Sequence, residues 1–161
     1  MLKTFIAAFF ALLLALPAST ADLPEEPSEA AQTFAAGFSK DQLSGMLSRI
    51  GARQPQMVAM GQMDGSTLAA VFDAEIAHAV EKYGAQWQHN MARAWTPLLS
   101  EDELNSLTAE AAESPHVEKY LGLREQAGQN MQVLSGDLFK EILQEVVQNT
   151  INSLSQTETT Q

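Results

Sequence analysis

Three methionines, Met57, Met60 and Met63, lie three residues apart in the stretch QMVAMGQMDG. Thioether sulfurs are soft donors that suit Cu(I), so this triplet is one candidate for a copper site. Successive methionines at this spacing lie about 60° apart around a helix, so all three could reach one ion only if the helix bends. Methionine more often fills irregular gaps between helices, and the neighbouring Val58 and Ala59 favour that packing interpretation.

A second candidate for chemistry is the Glu-x-x-His spacing, which occurs at Glu75–His78 and again at Glu113–His116. Di-iron sites in helical bundles use this spacing in the middle of helices, with two further glutamates. The second copy straddles a helix cap and a proline, and His78 lies outside the apolar stripe of its helix. The sequence therefore disfavours a di-metal site. The face outside that stripe is predicted to be a solvated surface: His78, Lys82 and His89.

Nucleophilic catalysis has no recognisable motif in this chain. The sequence contains no cysteine, so it has no thiol nucleophile, disulfide framework or lipid-anchor site. It also has no Gly-x-Ser-x-Gly elbow and no glycine-rich phosphate loop. The serines near helix starts are explained as caps. We therefore expect a protein that is not an enzyme and that needs no cofactor.

Adaptable apolar surface is the feature that suggests a function. Methionine and tryptophan side chains can line a groove between helices that accepts a partner helix or an unfolded exported chain. The alternatives are that these side chains are simply core, or that the protein carries a small ligand, either Cu(I) at the methionine triplet or a hydrophobic molecule in a bundle cavity. The predicted groove residues are Met57, Met60, Met63, Trp87, Met91 and Trp95.

The first residues have the pattern of a secretory signal peptide. Lys3 gives a positive start, residues 5–16 are apolar, and Ser19 and Ala21 suit the −3 and −1 positions of a cleavage site. A membrane-spanning helix needs roughly 20 apolar residues, more than this run supplies. We predict a signal peptide at 1–21, cleavage near Ala21, a periplasmic or secreted product and no transmembrane span.

The charge balance narrows the class of partner. Lys and Arg number 9 against 20 Asp and Glu, and loss of Lys3 with the signal leaves 8 − 20 = −12. A surface with this charge repels phosphate backbones and anionic lipid head groups. Nucleic acid is therefore excluded as a partner. We expect a monomer or weak homodimer whose partner, if any, is an exported or envelope protein.

Helical periodicity dominates the remainder of the chain. We predict an all-α protein, a single compact bundle of about five to six helices over residues 28–154, with Ser28 and Ser39 as the first caps. Residues 22–27 are predicted to be a flexible lead-in, because two prolines and acids cannot build a core. Residues 155–161 are predicted to be a disordered tail. The stretch Ser135–Asp137 is expected to interrupt or bend the last helix.

The most specific local signal is a helix start at Ser100. Ser100 as N-cap with Glu103 three residues later makes a capping box, and Leu99 with Leu104 makes a hydrophobic staple. Acidic residues fill the first turn, where they favour the helix dipole. Further on, Ser114 followed by Pro115 predicts another cap, with proline at the first helical position.

These pieces together resemble a bacterial exported family classed as a domain of unknown function. The resemblance covers roughly residues 85 to 151 and rests on Leu98–Leu104, then Ala112–His116, then a helix pair containing glutamine and methionine. Ala111–Ala112 replaces an aromatic pair of the family pattern, and Val117 replaces a glycine. The resemblance implies an all-helical periplasmic domain and carries over no catalytic or ligand-binding residues.

Overall fold

The computed structural model describes residues 23–61 and 65–159. The predicted signal peptide, Met63 and the last two residues of the predicted tail lie outside the described residues. Within them every regular element is helical, which confirms the all-α prediction. The six α-helices are α1 (Glu29–Ala36), α2 (Ser39–Gly51), α3 (Pro55–Gly61), α4 (Gly65–Trp95), α5 (Glu101–Glu110) and α6 (Val117–Thr159), with a 3-10 turn at Ala111–Glu113. None of these described helices is long and apolar enough to cross a membrane.

Two compact units divide the chain. Unit 1 contains the described residues up to Ser39 together with residues 86–136, and unit 2 contains residues 40–85, apart from the three that are not described, and residues from 137 onwards. Helices α4 and α6 contribute to both units because each begins in one and ends in the other.

Unit 1 has a core rich in large side chains. Helix α1 packs against α5, and the side chains buried in this unit include Trp87, Met91, Trp95, Leu104 and Met131. One buried polar contact lies among them. The Asn90 side-chain NH2 donates to the Leu134 carbonyl at 3.1 Å and to the Ser135 hydroxyl at 2.8 Å, so this donor group and the Ser135 hydroxyl have partners inside the core.

Unit 2 has an aliphatic core with one phenylalanine. Its buried side chains include Leu43, Met46, Leu47, Phe72, Ile76, Ile142 and Val146. Gly51, the last residue of α2, lies directly against this core. A Cβ placed on Gly51 would lie 2.5 Å from Cζ of Phe72, so the absence of a side chain at this position allows α2 to approach the phenylalanine ring.

Two predicted helix starts are confirmed by their hydrogen bonds. The Ser28 hydroxyl accepts from the Ala31 amide at 3.2 Å and caps α1. At α5, the Ser100 hydroxyl accepts from the Glu103 amide at 3.4 Å, and the Glu103 carboxylate accepts from the Ser100 amide at 2.9 Å. The flanking Leu99 and Leu104 are both buried. The capping box is thus complete.

The other two predicted N-caps, Ser39 and Ser114, do not make the expected capping hydrogen bonds. Ser39 is the first residue of α2 rather than its cap, and its buried hydroxyl makes no capping hydrogen bond. Helix α6 begins at Val117, two residues later than the Ser114–Pro115 pattern predicted. The Ser114 hydroxyl accepts from the His116 amide at 3.2 Å, a contact two residues on that closes a turn rather than opening a helix.

Helix α6 is also longer and more regular than predicted. It continues without interruption through Ser135–Asp137 and reaches Thr159, so residues 155–159 are helical and not part of a disordered tail. The expected break fails because Ser135 is buried and hydrogen bonded to Asn90. Tertiary packing here outweighs the poor helix propensity of serine and glycine.

Helix α5 ends at a strained residue. Ala111, the C-cap, has φ 52° and ψ −117°, the one positive φ of a non-glycine residue in the described ranges. A side chain is disfavoured in this conformation, whereas glycine adopts it freely. The turn from α5 towards α6 therefore stores backbone strain.

Candidate functional site

The methionine triplet has no exposed cluster of sulfurs in the described residues. Met57 is 3% exposed and Met60 is half-buried, while Met63 lies outside the described residues. The described residues also contain no group of three or more His, Cys, Asp or Glu side chains that could hold a metal ion. The burial of Met57 agrees with the interpretation that the methionines pack between helices. Binding of Cu(I) by the triplet stays a prediction.

The other predicted groove residues lie in the interior of unit 1. Trp87, Met91 and Trp95 are each 1% exposed, so in this structure they do not line an open groove. The apolar stripe that suggested a groove is the same stripe that a buried core requires. Large exposed apolar side chains within the described ranges are Val58, Leu121 and Val133.

An aromatic cluster that the sequence did not single out holds three elements of unit 1 together. The Phe34 ring of α1 makes edge contacts with Trp95 of α4 at 5.8 Å and with Tyr120 of α6 at 5.9 Å. Trp95 stacks on Tyr120 at 4.9 Å, and Phe38 packs on Phe34 at 5.1 Å. Burial raises the pKa of Tyr120, and the nearby Arg124 charge offsets part of that rise. The cluster fixes α1, and hence its N-cap Ser28, against α4.

Directly before α1, the N-terminal segment, residues 23–28, is held on α4. Arg93 Nε donates to the Pro24 carbonyl at 2.7 Å, and the Ser28 amide donates to the Thr96 hydroxyl at 3.3 Å. Pro27 is buried. The segment that contains the described part of the predicted lead-in is therefore hydrogen bonded to residues in the last turn of α4 and directly after it, 69 and 68 residues away in the sequence.

The two residues that hold this segment act on backbone groups. Arg93, in the last turn of α4, binds a carbonyl, and Thr96, the residue directly after α4, binds an amide. The Thr96 hydroxyl also donates to the Ala92 carbonyl at 2.9 Å, which orients its lone pairs towards the segment. Between the two contacts the chain bends at Glu25 and Glu26, whose side chains are exposed. We call Arg93 and Thr96 the α4 docking site.

Two histidines lie near carboxylates, but neither pair has the properties of an acid–base centre. His78 Nδ1 lies 3.9 Å from the Glu75 carboxylate, and the His78 side chain is 74% exposed. His116 Nδ1 lies 3.8 Å from the carboxylate of Glu103, which also accepts from Lys119 Nζ at 2.7 Å. The hydrogen bonds from Lys119 and from the Ser100 amide lower the pKa of Glu103 to about 2. A carboxylate with so low a pKa is a weak general base.

A second charged cluster lies in unit 2 and joins α4 to α6. Lys82 Nζ donates to both oxygens of the Glu145 carboxylate at 2.9 and 2.8 Å, and the Tyr83 hydroxyl donates to the same group at 2.5 Å. These bonds raise the pKa of Lys82 and Tyr83 and lower that of Glu145. Lys82 is exposed as predicted, but its ammonium group forms an ion pair with Glu145. The cluster thus connects α4 to α6 within unit 2.

Comparison of this chain with models of known protein families, with curated protein sequences and with solved structures finds no match. The resemblance based on Leu98–Leu104 and Ala112–His116 therefore stays a prediction. The capping box that it includes is present, but a capping box is a local device that many unrelated helices share.

Proposed function

We propose that this protein is a non-catalytic binding module of the periplasm or the extracellular space, which holds a non-helical segment of a partner polypeptide on α4. The observation that carries the proposal is the pair of hydrogen bonds from Arg93 to the Pro24 carbonyl and from the Ser28 amide to Thr96. They support the proposal because the protein's own N-terminal segment uses this surface in the way a partner would.

Recognition through backbone groups suits partners of varied sequence. Every residue carries a carbonyl, and every residue except proline carries an amide. Arg93 contributes a charged donor, and hydrogen bonds to charged groups are worth about 1.5–3 kcal/mol. A site built in this way selects chain conformation before side-chain identity. The expected partners are exported or envelope proteins with exposed non-helical segments.

The net charge of the predicted mature chain also affects which partner segments can bind. Its net charge of −12, given by 8 − 20 after removal of Lys3, disfavours strongly acidic partners. Glu25 and Glu26 of the protein's own segment are exposed, so two acidic side chains are compatible with docking, and the charge disfavours only segments that are more acidic than this one. The same charge disfavours nucleic acids and anionic lipid surfaces.

A binding measurement on the full mature chain, residues 22–161, tests the proposal. The probe is a thiol-alkylated, permanently unfolded polypeptide of neutral net charge that carries a fluorophore, and the readout is fluorescence anisotropy. We expect the wild-type chain to bind. The comparison with Arg93→Met is made in chains that also carry Pro27→Asp, which places a charge at a buried position of the protein's own segment and so removes its competition for Arg93. In that background we expect Arg93→Met to bind about tenfold more weakly, because the loss of one charge-assisted hydrogen bond costs at least about 1.4 kcal/mol.

The matched control is Arg53→Met, which removes an exposed arginine outside the α4 docking site and changes the net charge equally. This variant should bind as the wild type does. The proposal is contradicted if the wild-type chain does not bind the probe, or if Arg93→Met and Arg53→Met weaken binding to the same extent.

A further inference from the structure

One surface of α6 in unit 1 exposes large apolar side chains to solvent. Leu121 is 42% exposed and Val133 is 36% exposed, and they are two of the three large apolar side chains exposed in the described ranges. At 100° per residue, Gly122, Gln129 and Gly136 lie between them around the helix. The two residues nearer the start are exposed and Gly136 is half-buried. We call this surface the α6 face: Leu121, Gly122, Gln129, Val133 and Gly136.

The opposite side of the same helix lies against the core of unit 1. Ala127 is 0% exposed and Met131 is 2% exposed. Gln129 is two residues from each of them, so it points about 160° away from both. The α6 face is therefore the solvent side of the helix.

The α6 face has little charge although the chain is strongly acidic. The chain contains 20 Asp and Glu against 9 Lys and Arg, but no charged residue occurs between Glu125 and Asp137. The exposed Glu125 lies at the edge of the face, one turn after Leu121. Two copies of so acidic a protein repel each other where their charged surfaces meet. The α6 face is a surface on which a second copy avoids most of this repulsion.

We infer that two copies of this chain associate through the α6 face, with their α6 helices antiparallel and Gln129 of each copy at the two-fold axis. The spacing supports this arrangement because it is the same in both directions. Gly122, Gln129 and Gly136 are seven residues apart and so lie almost on one line along the helix. Two-fold symmetry then places Gly122 of each copy opposite Gly136 of the other.

The two glycines allow the helices to approach closely. A Cβ on Gly122 would meet no atom within 4 Å, and a Cβ on Gly136 would meet only Cγ of Gln132 at 3.9 Å. Packing inside the chain therefore does not require either glycine, and each weakens the helix by about 0.5–1 kcal/mol relative to alanine. A second helix lying across them gives both positions a role.

Charged residues at the two ends of the α6 face are complementary in the same arrangement. Glu118 and Lys140 lie one turn outside Gly122 and Gly136 respectively, and both are exposed. The antiparallel alignment about Gln129 places Glu118 of one copy opposite Lys140 of the other, once at each end. Lys140 also pairs with Asp137 of its own helix at 2.8 Å. The charges thus favour the antiparallel alignment, whereas a parallel pair would place like charges together.

The size of the α6 face limits the strength of the dimer. From Leu121 to Gly136 the helix rises about 22 Å, and a helix is about 10 Å wide. The contact therefore covers a few hundred Å² per copy, less than the roughly 800 Å² per partner of stable complexes. We expect a weak dimer that is populated at millimolar protein concentration. The inference goes beyond the proposed function, because the α4 docking site is no part of it.

Single cysteines test the alignment, since the chain contains none of its own. In the mature chain with Gln129→Cys, the two sulfurs meet at the two-fold axis, so a disulfide between copies should form in a glutathione redox buffer. Gly122→Cys should not cross-link with itself, because its Cα lies about 21 Å along the helix axis from the same atom of the other copy. The matched control is Gln86→Cys, an exposed position on α4 in unit 1. We expect Gln129→Cys to cross-link at least about tenfold faster than either.

Sedimentation equilibrium measures the dimer without cross-linking. Gln129→Glu places two like charges against each other at the axis and should raise the dimer Kd at least about tenfold. Gln86→Glu makes the same change in net charge and should leave the Kd unchanged. Gly122→Ala should raise the urea midpoint of the monomer and also raise the dimer Kd, a combination that a position important only for helix stability would not show.

The inference is overturned if the wild-type chain remains monomeric at millimolar concentration. It is also overturned if Gln129→Cys cross-links no faster than Gln86→Cys, or if Gly122→Cys cross-links with itself as fast as Gln129→Cys, which would indicate a parallel pair. A dimer that Gln129→Glu and Gln86→Glu weaken equally would have its interface elsewhere and would overturn the inference as well.

Discussion

Gly51 and Gly45 on helix α2 provide a matched pair of substitutions whose stability effects should have opposite signs. A Cβ at Gly51 would lie 2.5 Å from Cζ and 3.0 Å from Cε2 of Phe72, and 3.5 Å from Cδ1 of Leu143. A Cβ at Gly45 would meet no atom within 4 Å. The same methyl group is therefore added once against a core ring and once into open space.

The magnitudes follow from two competing terms. Replacing a helical glycine by alanine stabilises a helix by about 0.5–1 kcal/mol, because glycine loses more conformational freedom on folding. Overpacking a core costs about 1–3 kcal/mol, and Phe72, which is 6% exposed, has little room to move. We expect Gly45→Ala to be stabilising, and Gly51→Ala to be less stable than Gly45→Ala by about 1–3 kcal/mol or more, because overpacking affects position 51 alone and the helix term is smaller at this last residue of α2.

Urea denaturation of the mature chain, followed by far-ultraviolet circular dichroism, measures this difference. The whole helix content must be monitored because both tryptophans, Trp87 and Trp95, belong to unit 1, whereas the glycines belong to unit 2. Equal free energies of unfolding for the two variants would refute the conclusion that α2 approaches Phe72 as closely as described.

Three further predictions concern α5 and its ends. Ser100→Ala should lower the free energy of unfolding by about 0.5–1 kcal/mol, the lower half of the usual range for an N-cap, because its bond to the Glu103 amide is long at 3.4 Å; a thermal melt of the variant checks this. Glu103 has its pKa lowered from 4.5 to about 2, so its stabilising effect is complete above its ordinary pKa and is lost as the pH falls towards 2. Urea unfolding at several pH values should therefore show the wild type losing its stability advantage over Glu103→Gln across that interval, and an advantage independent of pH would contradict the assignment. Ala111→Gly should raise the free energy of unfolding by about 1 kcal/mol, since glycine relieves the strain at φ 52°; a lower melting temperature would show that the strain is absent.

Features that depend on neighbouring residues could be predicted from the sequence. The Ser100 capping box involves atoms within four residues of each other, and the pattern of Ser100 and Glu103 was sufficient to predict it. The existence and type of the helices follow from apolar periodicity for the same reason. Periodicity also identified the stripe that contains Trp87 and Met91. It could not show that Trp87 and Met91 are buried in the core of unit 1 rather than exposed in a groove.

Features that depend on distant residues could not be predicted. The contacts that anchor the N-terminal segment join residues 68 and 69 positions apart, and nothing in the local sequence around Pro24 and Pro27 indicates them. The continuity of α6 through Ser135 has a similar origin, because the partner of that serine is Asn90, 45 residues away. The local sequence around Ser135 correctly indicates a low helix propensity. It does not reveal the hydrogen bond to Asn90 that keeps the helix continuous at this point.

The hydrogen bonds of Asn90 have a consequence for the alignment of the helices in unit 1. Apolar side chains tolerate small shifts of one helix along another, because one methyl group can replace another as a neighbour. The Asn90 amide has no such freedom, since it donates both to the Leu134 carbonyl and to the Ser135 hydroxyl. A shift of α6 by one residue would leave a buried amide without partners, at a cost of about 1–3 kcal/mol. Asn90 thus discriminates against misaligned packings of α4 and α6 in this unit, and it contributes to the uniqueness of the fold more than to its stability.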